Sequence, residues 1–488
     1  MANLHRSRPP LGRRGSVVST MPLIYVLVLV IGITTTPMVR AQDPRPPVYL
    51  EHADSVLGSG SDASGIRRYE GNVRFRQGNV TVRCDRATEY VGGNAIDLSG
   101  RVVLRQGEME LRAPLVSYDG NTALATARGG VRVVDAGRTI QAQTGTYSPE
   151  TRLARFMVDV LAQDDSVIIG ADTLLFYRNT RVLQAWGRVV MSATDSTTWL
   201  TGDSALQIPN TQTFTMVGRA RLWSFQRTHK ERQHLEGSAA TPASDTLYLE
   251  ADTLQLQRQG YLRRWARGTA NLRRDGLASR SDELFQDDSL QTITLLGTPI
   301  LWADSTQITG DTIVIDAPDN QLRAVSAYGS AFMISVSGAG IDTTTRQESQ
   351  EPTKDAAHKG NTNPDRYDQI SGGYINIAFS NDSIREVLAI NETKSLYFRF
   401  EDDEPQGLAQ FASDSLRVSF LDGMPEDIRW LGTVRGEQHP ENVVAGRSNE
   451  YKLPGFNWRT DRPLMPPLPR SHGGAWRTAA LESWQSVP

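Results

Sequence analysis

Tyr69-Glu-Gly-Asn-Val-Arg-Phe75 sets a glycine ahead of two apolar residues spaced by two, and the same figure returns along the chain. Gly100 is followed by Val102 and Leu104, Gly129 by Val131 and Val133, and Gly187 by Val189 and Met191. Further copies open at Gly218, Gly268, Gly297 and Gly329. Most neighbouring copies lie about 29–32 residues apart, a period within the range of stacked repeat architectures. The gap from Gly129 to Gly187 is twice as long, and Val158–Ala162 fills it with a copy that lacks the glycine.

A second figure falls between these copies. Asp172-Thr-Leu-Leu-Phe176 recurs in kind at Asp252, Asp311 and Asp414, and more faintly at Asp85, Asp203 and Asp282. A spacing of two places successive apolar side chains on one face of a strand, and the Arg, Thr, Gln and Ser residues between them suit a wet face. Each unit therefore reads as two or three short strands, with turns at Gly92-Gly93-Asn94 and Asp119-Gly120-Asn121. The repeated aspartate reads as a turn cap that accepts hydrogen bonds from nearby backbone N–H groups. It lacks the dense glycine–aspartate spacing and clustered oxygens of a calcium roll. One such unit cannot bury its own apolar face, so it must stack on its neighbours. The predicted fold is all-β: an elongated repeat β-jellyroll, a taco-like solenoid of stacked antiparallel rungs with an apolar groove.

Ala87, Leu174, Ala205, Leu254, Leu284, Ile313 and Leu416 share one register of this pattern. Val73, Val102, Val131, Val189, Ala220 and Ala270 share another. Residues this small, recurring in both registers, leave space for a slot that takes acyl chains, at roughly 0.8 kcal/mol per buried CH₂. A filled structural core is the alternative reading of the same residues.

The remaining segments divide the chain. Residues 1–41 read as a signal peptide: Arg6, Arg8, Arg13 and Arg14 precede the apolar run Met21–Ile33, and Val39-Arg40-Ala41 supplies a cleavage site after Ala41. An uncleaved anchor is the competing reading, but the apolar run falls short of the roughly 20 residues a spanning helix needs. Residues 42–225 form a first roll module, 226–244 a charged loop insertion, and 245–340 a continuation of the roll. Residues 341–370 read as a disordered insertion, 371–435 as C-terminal rungs, and 436–488 as a tail rich in Pro, Arg and Trp. Within that tail, Leu453-Pro-Gly-Phe-Asn-Trp458 reads as a docking element or as unstructured chain.

Several classes of function are set aside by composition. A formal net charge of −3 offers no global basic field for nucleic acid. Cys84 is the only cysteine, so neither an internal disulfide nor a cysteine-based metal site can form. His229 and His234 do not have the i, i+4 spacing of a helical zinc site. The sequence contains no Walker loop, dinucleotide fingerprint or Gly-x-Ser-x-Gly elbow. The acid pairs Asp164-Asp165 and Asp287-Asp288 fall where turns are expected. The chain reads as a protein without cofactors or metal, and not as an enzyme.

The strings Tyr69–Phe75, Leu98-Ser-Gly-Arg-Val-Val-Leu104 and Ala171-Asp-Thr-Leu-Leu-Phe176 resemble the OstA-like (LptA-like) family of periplasmic lipopolysaccharide-transport proteins. The resemblance covers roughly residues 47–335 and resumes through 371–435. It implies a groove for acyl chains lined here by Val73, Phe75, Val102, Leu104, Val131, Val133, Leu174, Phe176, Val189 and Met191. It also implies lipopolysaccharide or a related lipid as ligand, Lpt-type envelope proteins as partners through edge-strand addition, head-to-tail self-association, and a periplasmic location. The chain departs from single-domain bridge proteins in its length. Two other readings stay open: a structural or adhesive surface solenoid with a filled core, and a β-helical polysaccharide-processing enzyme.

Overall fold

The computed structural model describes residues 48–60, 65–195, 197–226, 245–274, 276–318, 321–337, 366–380, 383–401, 404–421 and 424–466. The expected signal peptide lies outside these residues. So do the charged insertion beyond Gln226, positions 338–365 of the second insertion, and the tail after 466. Among the described residues no helix is long and apolar enough to cross a membrane.

From Ile66–Gln77 to Leu277–Asp287, each strand pairs antiparallel with the next in sequence. The following pair is interrupted: Thr292–Leu296 and Ile300–Ala303 together do the work of one strand, as do Thr306–Thr309 and Thr312–Asp316. Regular pairing then resumes from Ala324–Val336 through Tyr367–Ser380 and Ser383–Glu401 to Glu404–Leu421. Two-piece strands also stand at both ends of the array. Val48–His52 and Ser55–Ser59 share Ile66–Gln77 as partner, and Met424–Leu431 and Arg435–Pro440 share Glu404–Leu421. Strand pattern returns at Tyr367, several residues before the expected 371.

The rungs are all-β as expected, but they are not built from short strands. Most strands run 11–15 residues, two to each repeat, and the glycine and the aspartate sit in mid-strand rather than at turns. The two sequence figures are the halves of one device. Between Glu70↔Arg86 and Val73↔Cys84 the register shifts, so that Gly71 and Asn72 oppose Asp85 alone. That two-against-one arrangement is a β-bulge, which bends the strand at its midpoint.

Gly100 shows why glycine is required. Its φ is +73°, and a Cβ placed there would meet Asp85 Oδ2 at 2.5 Å and Asp85 Cβ at 2.9 Å. The aspartate occupies the space a side chain would need. Asp172 stands in the same way against Gly187, Asp203 against Gly218, Asp252 against Gly268 and Asp282 against Gly297. Where arginine follows the glycine it reaches back to the same carboxylate, as in Arg101–Asp85 at 2.7 Å, Arg188–Asp172 and Arg219–Asp203 at 3.2 Å. Most of these aspartates therefore sit in mid-strand at a bulge rather than at a turn, while Asp414 does accept a backbone bond, from Thr433 N at 3.2 Å. In the copy without glycine, Val158 (φ +67°) and Asp159 (φ +50°) take up the same left-handed bend.

Bending every strand at its midpoint folds the two half-strands toward one another, with the apolar alternation between them. The register carrying Ala87 becomes a continuous cross-strand row. It passes through Leu98, Val116, Ala127, Gly145 and Phe156 to Leu174, then on through Ala185, Ala205, Met216, Leu254 and Ala266 to Leu284. On the other half-strands Phe75, Val82, Leu104, Leu111, Val133 and Ile140 form a facing row, which continues through Ala162, Ile169, Met191 and Leu200. Both rows belong to one apolar cluster. Small residues such as Ala87, Ala127 and Gly145 are interspersed with large ones along the first row, while the facing row is mostly large.

The tail is docked. Leu453, 2% exposed, and Val444 are buried with Phe332, Ile334, Leu396, Phe398 and Leu408 in a separate cluster, with Phe456 and Trp458 packed against it. From there the segment crosses the outer face of the roll. Trp302 Nε1 donates to the Arg459 carbonyl at 3.1 Å, and Gln307 both donates to Asn457 O (2.7 Å) and accepts from Arg459 N (2.8 Å). Arg462 donates to the carbonyls of Gly276 (2.9 Å) and Asp304 (3.3 Å). The strap thus satisfies backbone and amide groups on an outer face made apolar by tryptophan and phenylalanine.

Candidate functional site

Hairpins alternate between the two margins of the folded sheet. The turns at 78–79, 107–108, 136–137 and 164–166 lie on one lip, and those at 91–94, 120–123, 149–152 and 178–181 on the other. Backbone pairing runs along each lip and not across the gap between them. What bridges the gap is side chains, and two arginines dominate.

Arg178, at the end of the strand Val167–Tyr177, reaches across to the opposite lip. Its Nε donates to Asp135 Oδ2 at 2.8 Å and its Nη1 to Gln106 Oε1 at 3.1 Å. On its own lip it donates to the Tyr147 hydroxyl at 3.0 Å and lies over the Tyr147 ring at 5.7 Å. Burial works against the guanidinium charge, but its bonds to Asp135 and Tyr147 more than offset that.

Arg138 makes the crossing in the other direction. It donates to Asp164 Oδ2 at 2.8 Å on its own lip and to Gln207 Oε1 at 3.2 Å on the facing one. Its guanidinium lies 5.6 Å from the centre of the Phe176 ring, and its Nη1 is buried without a hydrogen-bond partner. Burial pushes the Asp164 carboxyl up, yet hydrogen bonds from Arg138 and from Ser166 hold it below the usual carboxylate range. Both ion pairs are mostly shielded from water, with side chains 13–21% exposed.

Against Arg178 lies a cavity of about 30 Å³, walled by Leu104, Met109, Leu111, Val131, Val133 and Phe156, with Phe176 and Tyr147 also lining it. A cavity of that size has room for about two water molecules, at roughly 10–15 Å³ each.

Of the ten residues expected to line a groove, Val73, Phe75, Val102, Val131, Val133, Leu174, Phe176 and Val189 are buried in the main apolar cluster. Leu104 and Met191 are half-buried and pack against it. Leu104, Val131, Val133 and Phe176 come together at the cavity, and the others lie elsewhere in the same interior. The reading missed the partner strands of each hairpin, which contribute Met109, Leu111 and Phe156. Their alternation, as in Met109-Glu-Leu111-Arg-Ala113, was available but lacks the glycine that drew attention elsewhere. Of the four charged groups of the lips it named only Asp164, as a turn residue, and missed Asp135, Arg138 and Arg178. Asp164 does sit in a turn, accepting from Ser166 N and Val167 N, but its second task as partner of Arg138 leaves no local signature. Among the described residues no cluster of His, Cys, Asp and Glu could hold a metal ion. Cys84 is buried, and burial pushes its thiol up to about 11.

A family model described as OstA-like protein matches residues 45–148, the first rungs of the array and most of the cavity wall. Among solved structures, the chain is similar to LptH of Pseudomonas aeruginosa, described as the LptA-homologous periplasmic component of the conserved lipopolysaccharide transport device. The two share 16% identity over 38% of this chain and 90% of that one, with a TM-score of 0.18. A comparison with curated proteins gives no match.

Proposed function

Taking residues 45–148 as an OstA-like segment, we propose that the chain is a periplasmic lipid-binding bridge that moves or shields lipopolysaccharide, or a related envelope lipid, during outer-membrane assembly. The observation that carries this reading is the pair of continuous apolar rows facing each other between lips joined only by side chains. A solenoid with a purely structural core gains nothing from leaving its margins without backbone pairing, whereas an amphiphile carrier needs a seam that opens along its length. Acyl chains entering that seam exchange water for hydrocarbon walls at roughly 0.8 kcal/mol per CH₂.

Partners are reached through the ends of the array. Val48–His52 and Ser55–Ser59 are exposed throughout, with Tyr49 and Leu57 both more than half exposed, and their outer edges offer backbone groups to an added strand. Lpt-type envelope proteins or a second copy of the chain fit this edge.

The test is native mass spectrometry of the mature chain from residue 42, challenged with lipopolysaccharide. Saturable uptake that falls several-fold in Leu104→Asp, a half-buried position that tolerates a charge better than the deep core, supports the bridge. A folded chain that carries no lipid and takes up none refutes it, and leaves the filled structural solenoid.

A further inference from the structure

We propose that Arg178 is the receptor for the anionic headgroup of the carried lipid, and that Asp135 holds its place while the roll is closed. The inference rests on the lipid-carrier reading above and names the chemistry that selects the ligand: an amphiphile with a phosphate or comparable anion beside its acyl chains.

The topology supplies the argument. Arg178 and Tyr147 stand on one lip, Asp135 and Gln106 on the other. When the lips separate to admit a chain, the 2.8 Å bond from Arg178 to Asp135 and the 3.1 Å bond to Gln106 both break, because they cross the seam. The contact with the Tyr147 hydroxyl survives, because it does not cross, and it keeps the guanidinium against the apolar cavity that both residues line. Opening therefore produces a positioned cation with two vacated donor directions directly above a hydrocarbon wall. A guanidinium fork matches a phosphate oxygen pair as well as it matches a carboxylate. An anionic head occupying Arg178 offsets the lost ion pair, and a neutral head does not.

Arg138 is a lesser contributor by the same reasoning. Its carboxylate partner Asp164 lies on its own lip and stays paired on opening, so only the bond to Gln207 is lost.

The experiment uses the full chain purified from periplasmic extract and two probes with identical acyl chains, diphosphoryl lipid A and its dephosphorylated form, presented in non-ionic detergent micelles. Affinity is measured by titration for the native chain, Arg178→Gln, Arg178→Lys and Asp135→Asn, with circular dichroism to verify folding. The native chain is expected to prefer the phosphorylated probe by roughly tenfold, the scale of one charge-assisted hydrogen bond. Arg178→Gln should abolish that preference while still binding the dephosphorylated probe, and Arg178→Lys should restore part of it. Asp135→Asn should raise affinity for the phosphorylated probe several-fold, since the place-holder is gone. A preference that persists in Arg178→Gln overturns the assignment, as does equal binding of both probes by the native chain, and either leaves the carrier reading standing. Failure of the native chain to bind either probe overturns both. If Arg178→Gln does not fold, Asp135→Asn decides: no gain in affinity rejects the exchange.

Discussion

The mid-strand bulge makes a quantitative prediction about Gly100 and Asp85. Alanine at position 100 must hold φ near +73°, which costs an L-residue roughly 1–2 kcal/mol. Its methyl group would also overlap Asp85, at 2.5 Å from Oδ2 and 2.9 Å from Cβ. Displacing that side chain adds an overpacking penalty of roughly 1–3 kcal/mol, with little more for the loss of its exposed pairing to Arg101. Gly100→Ala should therefore destabilise its rung by about 2–5 kcal/mol. Gly107 is the control, since its φ is +60° but nothing lies within 4 Å of an added Cβ, and Gly107→Ala should cost only the backbone share of about 1–2 kcal/mol. In an Asp85→Ala background the clash is gone, so Gly100→Ala should fall to the same figure. The coupling between the two sites is then the clash term, about 1–3 kcal/mol. A repeat array opens in parts, so the readout is amide hydrogen exchange across Ala95–Gln106 and Met109–Asp119 rather than a global melt. Equal costs at positions 100 and 107, or a coupling below about 0.5 kcal/mol, would refute the view that the aspartate and the glycine form one device.

Three further outcomes follow from particular side chains. Asp368 accepts from Ser337 Oγ at 2.5 Å and Phe398 N at 2.9 Å, and burial outweighs both and pushes its carboxyl up to about 6. A carboxyl raised in the folded state adds stability that is complete below its unfolded value near 3.8 and is lost as pH rises through about 6. Asp368→Asn, which keeps both accepted bonds, should match the native chain at pH 4 and gain up to about 3 kcal/mol by pH 8. That figure is a ceiling, because part of the residue still meets solvent, and urea melts across that range that show no divergence would contradict it. Val158→Gly should stabilise Leu153–Gln163 by about 1 kcal/mol, because it removes a β-branched residue from φ +67° and the relief exceeds the entropy cost of glycine. Slower amide exchange in that strand is the check. Leu453→Ala should weaken docking of the strap by about 2–4 kcal/mol, seen as faster proteolysis between 447 and 466 with exchange in 66–163 unchanged.

How far the sequence alone reveals this molecule depends on the distance over which each feature acts. The apolar alternation is local, so the registers holding Ala87 and Val73 could be read directly, and the first of them proved to be one unbroken row. The bulge is local too, but its left-handed pair Gly100-Arg101 imitates the end of a strand. Long bent strands were accordingly read as short ones, and Asp85 as a turn residue. The lip contacts are invisible for a different reason. Arg178 meets Gln106 across 72 positions and Asp135 across 43, and each of these residues alone resembles any polar residue at a strand end. The strap lies between these cases. Leu453–Trp458 could be suspected of docking, and Trp223, Trp302 and Phe332 mark where, since they place large apolar groups on a face that elsewhere carries polar ones.

The same bookkeeping bears on which part of the roll can open. Parting the lips breaks no backbone ladder, because every ladder runs along the array and the bulges already supply the line of bending. Between residues 66 and 208 the hydrogen bonds of Arg138 and Arg178 cross the seam, each charge-assisted and worth roughly 1.5–3 kcal/mol net. Between 223 and 462 the outer face carries the strap, fixed by hydrogen bonds to Trp302, Gln307 and Arg280 and by the buried Leu453 cluster. Bending the strands there disturbs an outer surface already committed to other contacts, so opening costs more. The cavity lies wholly in the unstrapped part, which is also where the OstA-like match falls. On the proposed carrier reading, the least costly entry for a lipid is therefore in the N-terminal rungs, where its acyl chains would cover the interior that opening exposes.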